Sequence, residues 1–291
     1  MTTYNGEKFL KAQLDSILNQ TFSNFELIVC DDCSKDNTRQ ILEEYKNKDK
    51  RIKLYFNEKN LGFKKNFEKA INLCQGTFIA LSDQDDIWVP DHLELLYKNL
   101  GEADLICANC QLIDRNGNKL PETSRPKDIY IPENSDELFR TLLHINFVQG
   151  CVCLFKKEIL PIFLPIPEEM TYHDYWLSLI LSLNNKKIKY IPNIINFYRR
   201  HENNITADKK YSQTENIKNK INWFTYLLTC NPSSEKKQII EEVILYHQAL
   251  LNPKLRKKTA GYFLKYYKNI YQTKSSSKKA LRFIKKYVFK R

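Results

Sequence analysis

The apolar positions Phe9, Leu10, Leu14, Ile17 and Leu18 recur at helical spacing and predict a helix over 7–20, with Asn5 as its N-cap. The apolar run 25–30 reads as a buried strand, and Asp36-Asn37-Thr38 opens a helix reaching about residue 48. A strand at 52–56, a helix at 64–75 closed by Gly76 and a strand at 77–82 follow. Then come a helix at 91–100 capped by Asp91, a strand at 103–107, a turn at Asn116-Gly117 and a Pro-rich polar loop at 121–132. Beyond it, 151–155 reads as strand, 174–183 as helix, and 188–190 and 195–198 as short strands around Pro192, whereas from about residue 212 only helical periodicity survives. Strand and helix alternate, which implies an α/β fold with a mostly parallel sheet and helices on both faces. The pattern divides the chain into a catalytic body at 1–210 and a basic helical region at 211–291. The opening Met1-Thr-Thr-Tyr-Asn5 reads as a loop already leading into a helix, so the first strand expected of such a sheet looks truncated.

A hydrophobic share of 42% excludes a disordered chain, and seven glycines without a fixed period exclude a repeat architecture. The longest apolar stretches, 159–166 and 177–183, fall well short of the roughly 20 residues that span a bilayer. With no signal peptide ahead of the first motif, a cytoplasmic location is expected. Two of the eight cysteines' spacings are C-x-x-C, Cys30 to Cys33 and Cys107 to Cys110, but both fall in or beside apolar strand runs, which favours free thiols over zinc. The net charge of +12 is located at one end: residues 252–291 carry fourteen Lys or Arg and no acid, which leaves −2 for the rest.

Two acidic groups follow strands directly, Asp31-Asp32 and Asp83-Gln84-Asp85-Asp86. In an open α/β sheet the carboxyl ends of the strands form the ligand crevice, so both should face one cleft. Carboxylates gathered there repel one another unless a cation intervenes, and an oxygen-rich set suits Mg²⁺ or Mn²⁺ bridging to substrate phosphates. Neither a G-x-G-x-x-G nor a G-x-x-x-x-G-K loop is present, which disfavours a dinucleotide-dependent dehydrogenase or P-loop enzyme. The plainer reading of such runs is helix N-capping.

Taken in order, Thr2-Thr-Tyr-Asn5, Leu18-Asn-Gln-Thr-Phe22, Val29-Cys-Asp-Asp-Cys-Ser34 with Asp36-Asn-Thr38, Asn60-Leu-Gly62, Ser82-Asp-Gln-Asp-Asp-Ile-Trp88 with Pro90, Tyr172-His-Asp-Tyr-Trp176 and Tyr198-Arg-Arg-His201 resemble a family 2 glycosyltransferase of GT-A fold. The resemblance is to the rhamnosyltransferase-like type of bacterial polysaccharide biosynthesis, and it covers residues 2 to about 205. It implies a nucleoside site at Thr2, Tyr4, Asp32 and Asp83, with Lys64 or Lys65 on the donor. It also implies a metal site for Mn²⁺ or Mg²⁺ at Asp85 with His201, Arg199 or Arg200 near the pyrophosphate, and Asp174 as general base. His173 stands where the family more often has Glu. Trp88 and Trp176 are read as core. The reaction implied is an inverting sugar transfer from a UDP- or dTDP-sugar to a glycan or lipid-linked acceptor.

In the basic tail, Leu264, Tyr267, Ile270 and Tyr271, then Leu281, Ile284, Tyr287 and Val288, recur at helical spacing between lysines. Such helices suit the anionic inner face of a plasma membrane, or pack on the body with their lysines solvated; no nucleic-acid module accompanies the charge. Two alternatives remain open on sequence: a metal-dependent nucleotidyltransferase, which releases pyrophosphate, and a non-enzymatic zinc and nucleic-acid module.

Overall fold

The computed structural model describes residues 1–125, 129, 131–202, 204, 212–252 and 261–262. Its first half runs β1 (Thr2–Thr3), α1 (Leu10–Leu18), β2 (Leu27–Asp31), α2 (Thr38–Lys48), β3 (Ile52–Phe56), α3 (Phe63–Leu73), β4 (Phe78–Ala80), β5 (Ile87–Trp88), α4 (His92–Leu100), β6 (Leu105–Ile113) and β7 (Lys119–Thr123). The second half adds α5 (Ser135–Leu142), β8 (Cys153–Lys156), α6 (Leu160–Phe163), α7 (His173–Leu183), β9 (Ile188–Arg199), α8 (Gln213–Leu228) and α9 (Ser234–Leu251).

Two sheets result. The strands β1, β2 and β3 pair in that order, all parallel, and the second sheet runs β4-β8-β6-β9-β5 with β7 on β6. The parallel expectation holds for the first sheet and for β6 with β9, whereas β8 enters antiparallel between β4 and β6, and β5 lies antiparallel on β9. The two short strands expected around Pro192 are one long strand, β9, whose register against β6 shifts on either side of Asn109. Such a shift lets a proline sit in a strand without a broken ladder bond.

Along β6 the side chains alternate as a strand requires: Leu105 and Cys107 join the core under α5 and α7, and Ile106, Ala108 and Cys110 join the one under α4. Helices thus cover both faces. Helix α7 is buried from Tyr175 to Leu183, because it lies between α5 and the pair α8–α9. Trp223, Phe224 and Leu227 of α8 and Ile239, Ile240 and Val243 of α9 belong to that same core, so these helices pack on the body. The aromatic and lysine pattern assigned to the basic tail lies, apart from residues 261–262, outside the described residues. Among the described residues, no helix is long and apolar enough to cross a membrane.

The chain's opening differs from expectation. Thr2–Thr3 form a two-residue strand on β2, with Cys30 N donating to Met1 O and Asp32 N to Thr3 O. The Met1 ammonium is buried and donates to Ile28 O at 2.8 Å; burial pushes its pKa down. Between β2 and β4 lies an apolar cavity of about 680 Å³ bordered by Met1, Ile28, Phe67, Ile71, Ile79 and Trp88. Asn5 does not cap α1. It adopts φ 49° and its Oδ1 accepts from Lys35 N, while Gly6 O takes the first helical N–H groups.

Candidate active site

The site sits at the carboxyl ends of β1, β2 and β4, where the strands hand over to loops, in a cavity of about 360 Å³. Five of the residues expected on the donor side line it: Thr2, Tyr4, Asp32, Asp83 and Asp85. Asp174 lines it too. The short stretches after β2 and β4 and the start of α7 are thus brought to one space from three separate parts of the chain.

Asp31 and Asp32 divide their labour. Asp31, the last residue of β2, is buried and holds the turn together by accepting from Thr3 Oγ1, from Ser34 and from Arg39 Nε at 3.0 Å. Asp32 accepts from Asn57 Nδ2 and Leu61 N, both at 2.8 Å, and from Gly62 N at 2.9 Å. Gly62 reaches that carboxylate with φ 78°, a left-handed conformation that glycine adopts without strain. Asn60-Leu-Gly62 is therefore a strap that Asp32 orders along one wall of the cavity.

On the opposite wall, the amide of Gln84 grips the backbone of Tyr4, with Oε1 accepting from Tyr4 N at 2.8 Å and Nε2 donating to Tyr4 O at 3.0 Å. Asp85 Oδ2 lies 2.9 Å from His201 Nε2 and 3.3 Å from Asn204 Nδ2. Asp86 is fully buried, taking Asn196 Nδ2 at 2.7 Å and Arg199 N at 3.1 Å. Burial, then the charges of Asp85 and Asp174, push the Asp83 carboxyl up; burial and the charges of Asp85 and Asp83 do the same to Asp86. This is crowded negative charge of the kind a divalent cation relieves.

Two donor sets compete for that cation. Asp83, Asp86 and Cys151 have ligand atoms within 4.8 Å of one another, but a soft thiol ligand does not suit Mn²⁺ or Mg²⁺, and Asp86 is already committed to Asn196 and Arg199 N. Asp85 offers the carboxylate oxygen that Mn²⁺ or Mg²⁺ takes, with His201 Nε2 beside it as a nitrogen donor. The cysteines are all free, and the C-x-x-C pairs take no part in the metal-type cluster found among the described residues.

Asp174 lies in the first turn of α7, whose N-cap position is Tyr172. It does not cap its own helix: Oδ2 accepts from Gly150 N at 3.2 Å, which aims the carboxylate at the cavity from a separate loop. The residue beside it, His173, stacks on Phe67 with ring centroids 4.2 Å apart.

Four expected donor-side residues are not among those that line the cavity; of these His201 reaches it through Asp85, and the other three, Lys64, Arg199 and Arg200, do not. Lys64 Nζ is spent on the carbonyls of Pro167, Glu168 and Met170, the last at 2.6 Å. Arg199 is buried, with Nε donating to Asp85 O at 2.9 Å and Nη1 to Arg115 O at 3.2 Å, over the ring of Phe9. Its guanidinium holds the Asp85 loop from behind. Arg200 is exposed and is not among the lining residues. Conversely, Gln84, Gln149, Gly150, Tyr198 and Asn204 line the cavity without having been singled out. Trp88 and Trp176 are core residues, as expected; Trp176 Nε1 donates to Phe163 O.

A cleft at strand ends lined by Asp32, Asp83, Asp85 and Asp174 suits a glycosyltransferase of GT-A fold. Comparison with known proteins agrees: the family model "Glycosyl transferase family 2" matches residues 1–163, and the chain belongs to that family. An uncharacterized glycosyltransferase of Methanocaldococcus jannaschii is 31% identical over 263 residues, covering 87% of this chain and 88% of its own. An Escherichia coli UDP-Glc:alpha-D-GlcNAc-diphosphoundecaprenol beta-1,3-glucosyltransferase is 33% identical over 215 residues, 72% and 79% of the two chains. Among solved structures, S. aureus TarS in complex with UDP-GlcNAc shares the fold with TM-score 0.66 at 20% identity, covering 92% of this chain and 80% of its own. A mannosyltransferase of Pyrobaculum calidifontis in complex with GDP-Man and Mn²⁺ does so with TM-score 0.58 at 14% identity, covering 99% and 79%.

Proposed function

We propose that this glycosyltransferase moves a sugar from a UDP- or dTDP-sugar to a hydroxyl of a glycan or lipid-linked acceptor, with inversion at the anomeric carbon, in cell-surface polysaccharide biosynthesis. The observation that carries the reading is one cavity lined by Asp83 and Asp85 together with Asp174, which is held by Gly150 N and lies near enough to Asp83 for its charge to push that carboxyl up. The Escherichia coli relative, named for UDP-Glc and a diphosphoundecaprenol-linked acceptor, and TarS bound to UDP-GlcNAc support the choice of donor and acceptor class.

In this reading residues 1–115 serve the donor and 116–210 the acceptor. Thr2, Tyr4, Asp32 and Asp83 hold the nucleoside, and Asp85 with His201 holds Mn²⁺ or Mg²⁺. When bound, that ion supplies electrostatic stabilisation of the departing diphosphate. The Asp174 carboxylate accepts the acceptor hydroxyl's proton as that oxygen bonds to the anomeric carbon. The bond from that carbon to the diphosphate oxygen breaks, and its electron pair leaves with the nucleoside diphosphate. A single displacement of this kind inverts the centre and needs no covalent intermediate. Such a base contributes about 10²- to 10⁴-fold. The basic stretch 252–291 docks the enzyme on the anionic inner face of the plasma membrane, where lipid-linked acceptors reside.

The thermal midpoint in UDP, dTDP, GDP and CDP, with and without Mn²⁺, tests the donor site. Ligand at 100 times its Kd stabilises by about 2.7 kcal/mol. A Mn²⁺-dependent rise with UDP or dTDP that Asp85→Ala abolishes is expected; folded protein unmoved by every nucleotide would sink the reading.

A further inference from the structure

Resting on the metal-site reading, we infer that Asn204 is a positioning residue for the divalent ion: its side-chain amide holds Asp85 and His201 together as one ligand pair. Asn204 is 8% exposed and lines the cavity. Its Oδ1 accepts from His201 N at 2.6 Å, and its backbone N donates to His201 O at 3.2 Å, which closes a tight turn over 201–204. Closing a turn is a local role, but the other end of the amide reaches across the chain. Asn204 Nδ2 lies 3.3 Å from Asp85 Oδ2 and 3.2 Å from His201 Nε2. A backbone N–H can only donate, so the bond from His201 N fixes which end of the amide is oxygen and leaves the N–H₂ group facing Asp85.

The pair is also held at a suitable spacing, with Asp85 Oδ2 and His201 Nε2 2.9 Å apart. Neighbouring donors around an octahedral ion with bonds of about 2.1 Å lie about 3.0 Å apart, so these two atoms already stand at the separation the ion takes. Part of the hold is the hydrogen bond between them, and it is given up when both atoms turn their lone pairs to an ion. The bonds from Asn204 are not given up: His201 is held through its backbone, and a carboxylate oxygen accepts an N–H with one lone pair while it binds a cation with the other. The Phe9 ring lies against the imidazole, with ring centroids 4.8 Å apart, and further confines it. The spacing of the ligands thus survives the exchange of a hydrogen bond for an ion. Partners that hold metal ligands in this way are worth about 10- to 100-fold in metal affinity.

The test titrates UDP calorimetrically into the full chain over a series of Mn²⁺ concentrations and reads the Mn²⁺ concentration that gives half of the full gain in UDP affinity. Wild type is compared with Asn204→Leu, which keeps the size and loses both side-chain bonds, with Asn204→Ala, and with Asp85→Ala as the reference for a lost ligand. Both Asn204 variants are expected to need about 10- to 100-fold more Mn²⁺ than wild type, and to reach wild-type UDP affinity once Mn²⁺ saturates. Their Kd for UDP without the ion and their ion-free thermal midpoint should match wild type. The inference is overturned if either variant's Mn²⁺ requirement stays within threefold of wild type, including where its thermal midpoint falls, since Asn204 then only closes its turn. It is overturned as well if the variants still bind UDP more than threefold more weakly at saturating Mn²⁺, which would make Asn204 a contact of the nucleotide. If wild type gains nothing from Mn²⁺, or Asp85→Ala gains as much as wild type, the metal-site reading itself falls and takes the inference with it.

Discussion

Gly6→Ala is the most informative perturbation of the proposed nucleoside site. The added Cβ would lie 2.3 Å from Gln84 Oε1 and 2.6 Å from its Cδ, so the Gln84 amide must leave. The rest of the turn has no reason to move: Gly6 keeps its N–H bond to Thr38 Oγ1 and its carbonyl bonds to Phe9 and Leu10 N. What is lost is the pair of bonds from Gln84 to the backbone of Tyr4. At about 0.5–1.5 kcal/mol each, the two order the Tyr4 loop by roughly 1–3 kcal/mol, and a nucleotide that needs the loop ordered pays that difference on binding. A Kd for UDP about tenfold weaker is expected in Gly6→Ala, with the thermal midpoint little changed because the clamp is solvent-exposed. Gln84→Ala removes the same clamp from its other end. Isothermal titration of both variants and the double variant should give equal losses that do not add, the mark of one shared interaction. The reasoning fails if UDP binds all three within twofold of wild type, or if the double variant loses the sum of the two singles.

Other outcomes follow from the same geometry. Asp174→Asn should lower kcat by about 10²- to 10⁴-fold while UDP affinity and unfolding midpoint stay unchanged, since the amide oxygen still accepts from Gly150 N; a tenfold or smaller loss of kcat would argue against a general base there. His92 and His247 are buried, and burial brings their pKa values down to about 3 and about 4. The unfolded chain, with histidines near 6.5, then binds more protons than the native state, so stability is fully present above about pH 6.5 and is lost as pH falls toward 4. Because the raised Asp83 and Asp86 carboxyls act in the opposite direction, the histidine part is read by difference: from pH 7 to pH 5.5 wild type should lose roughly 2–3 kcal/mol more stability in urea melts than a His92→Gln/His247→Gln variant, and equal losses would contradict the neutral, buried state of both rings. Because Thr2 pairs with Cys30, four alternating apolar residues added ahead of Met1 would run beside residues 25–28, fill the 680 Å³ cavity and replace the buried ammonium with a peptide N–H. Such an extension should raise the thermal midpoint by at least about 4 °C where an equally long Gly-Ser extension does not.

How far the sequence reached depended on the range of the interactions that decide each feature. The helices at 38–48, 92–100 and 173–183 and the strand at 52–56 declare themselves through local periodicity, so their bounds were legible within a residue or two. The direction of β8 was not, because an antiparallel strand between β4 and β6 is fixed by partners some 75 and 50 residues away. Helix α5, amphipathic but only eight residues long, sits behind a Pro-rich loop that masked its cap at Asn134. The site shows the same division. Asp83, Asp85 and Asp174 were visible because acids directly after strands, or ahead of an apolar helix, stand out against their neighbours. Side chains that serve by what they touch did not stand out: Gln84 looks like filler between acids until its amide is seen on Tyr4, and Gly150 is one of seven glycines until Asp174 is found on its N–H.

The cations misled in an instructive way. Lys64, Arg199 and Arg200 have the charge that a pyrophosphate wants, yet Lys64 and Arg199 spend theirs on backbone carbonyls of the 167–170 loop and of Asp85 and Arg115. Carbonyls left without partners where irregular loops cross a core must be satisfied from somewhere, and a long cationic side chain satisfies several at once. With Lys64 and Arg199 committed, the proposed Asp85–His201 metal site is left with more of the donor's charge to meet, so dependence on a divalent ion, and its loss in Asp85→Ala, is the expected outcome that tests this account of the loops most sharply.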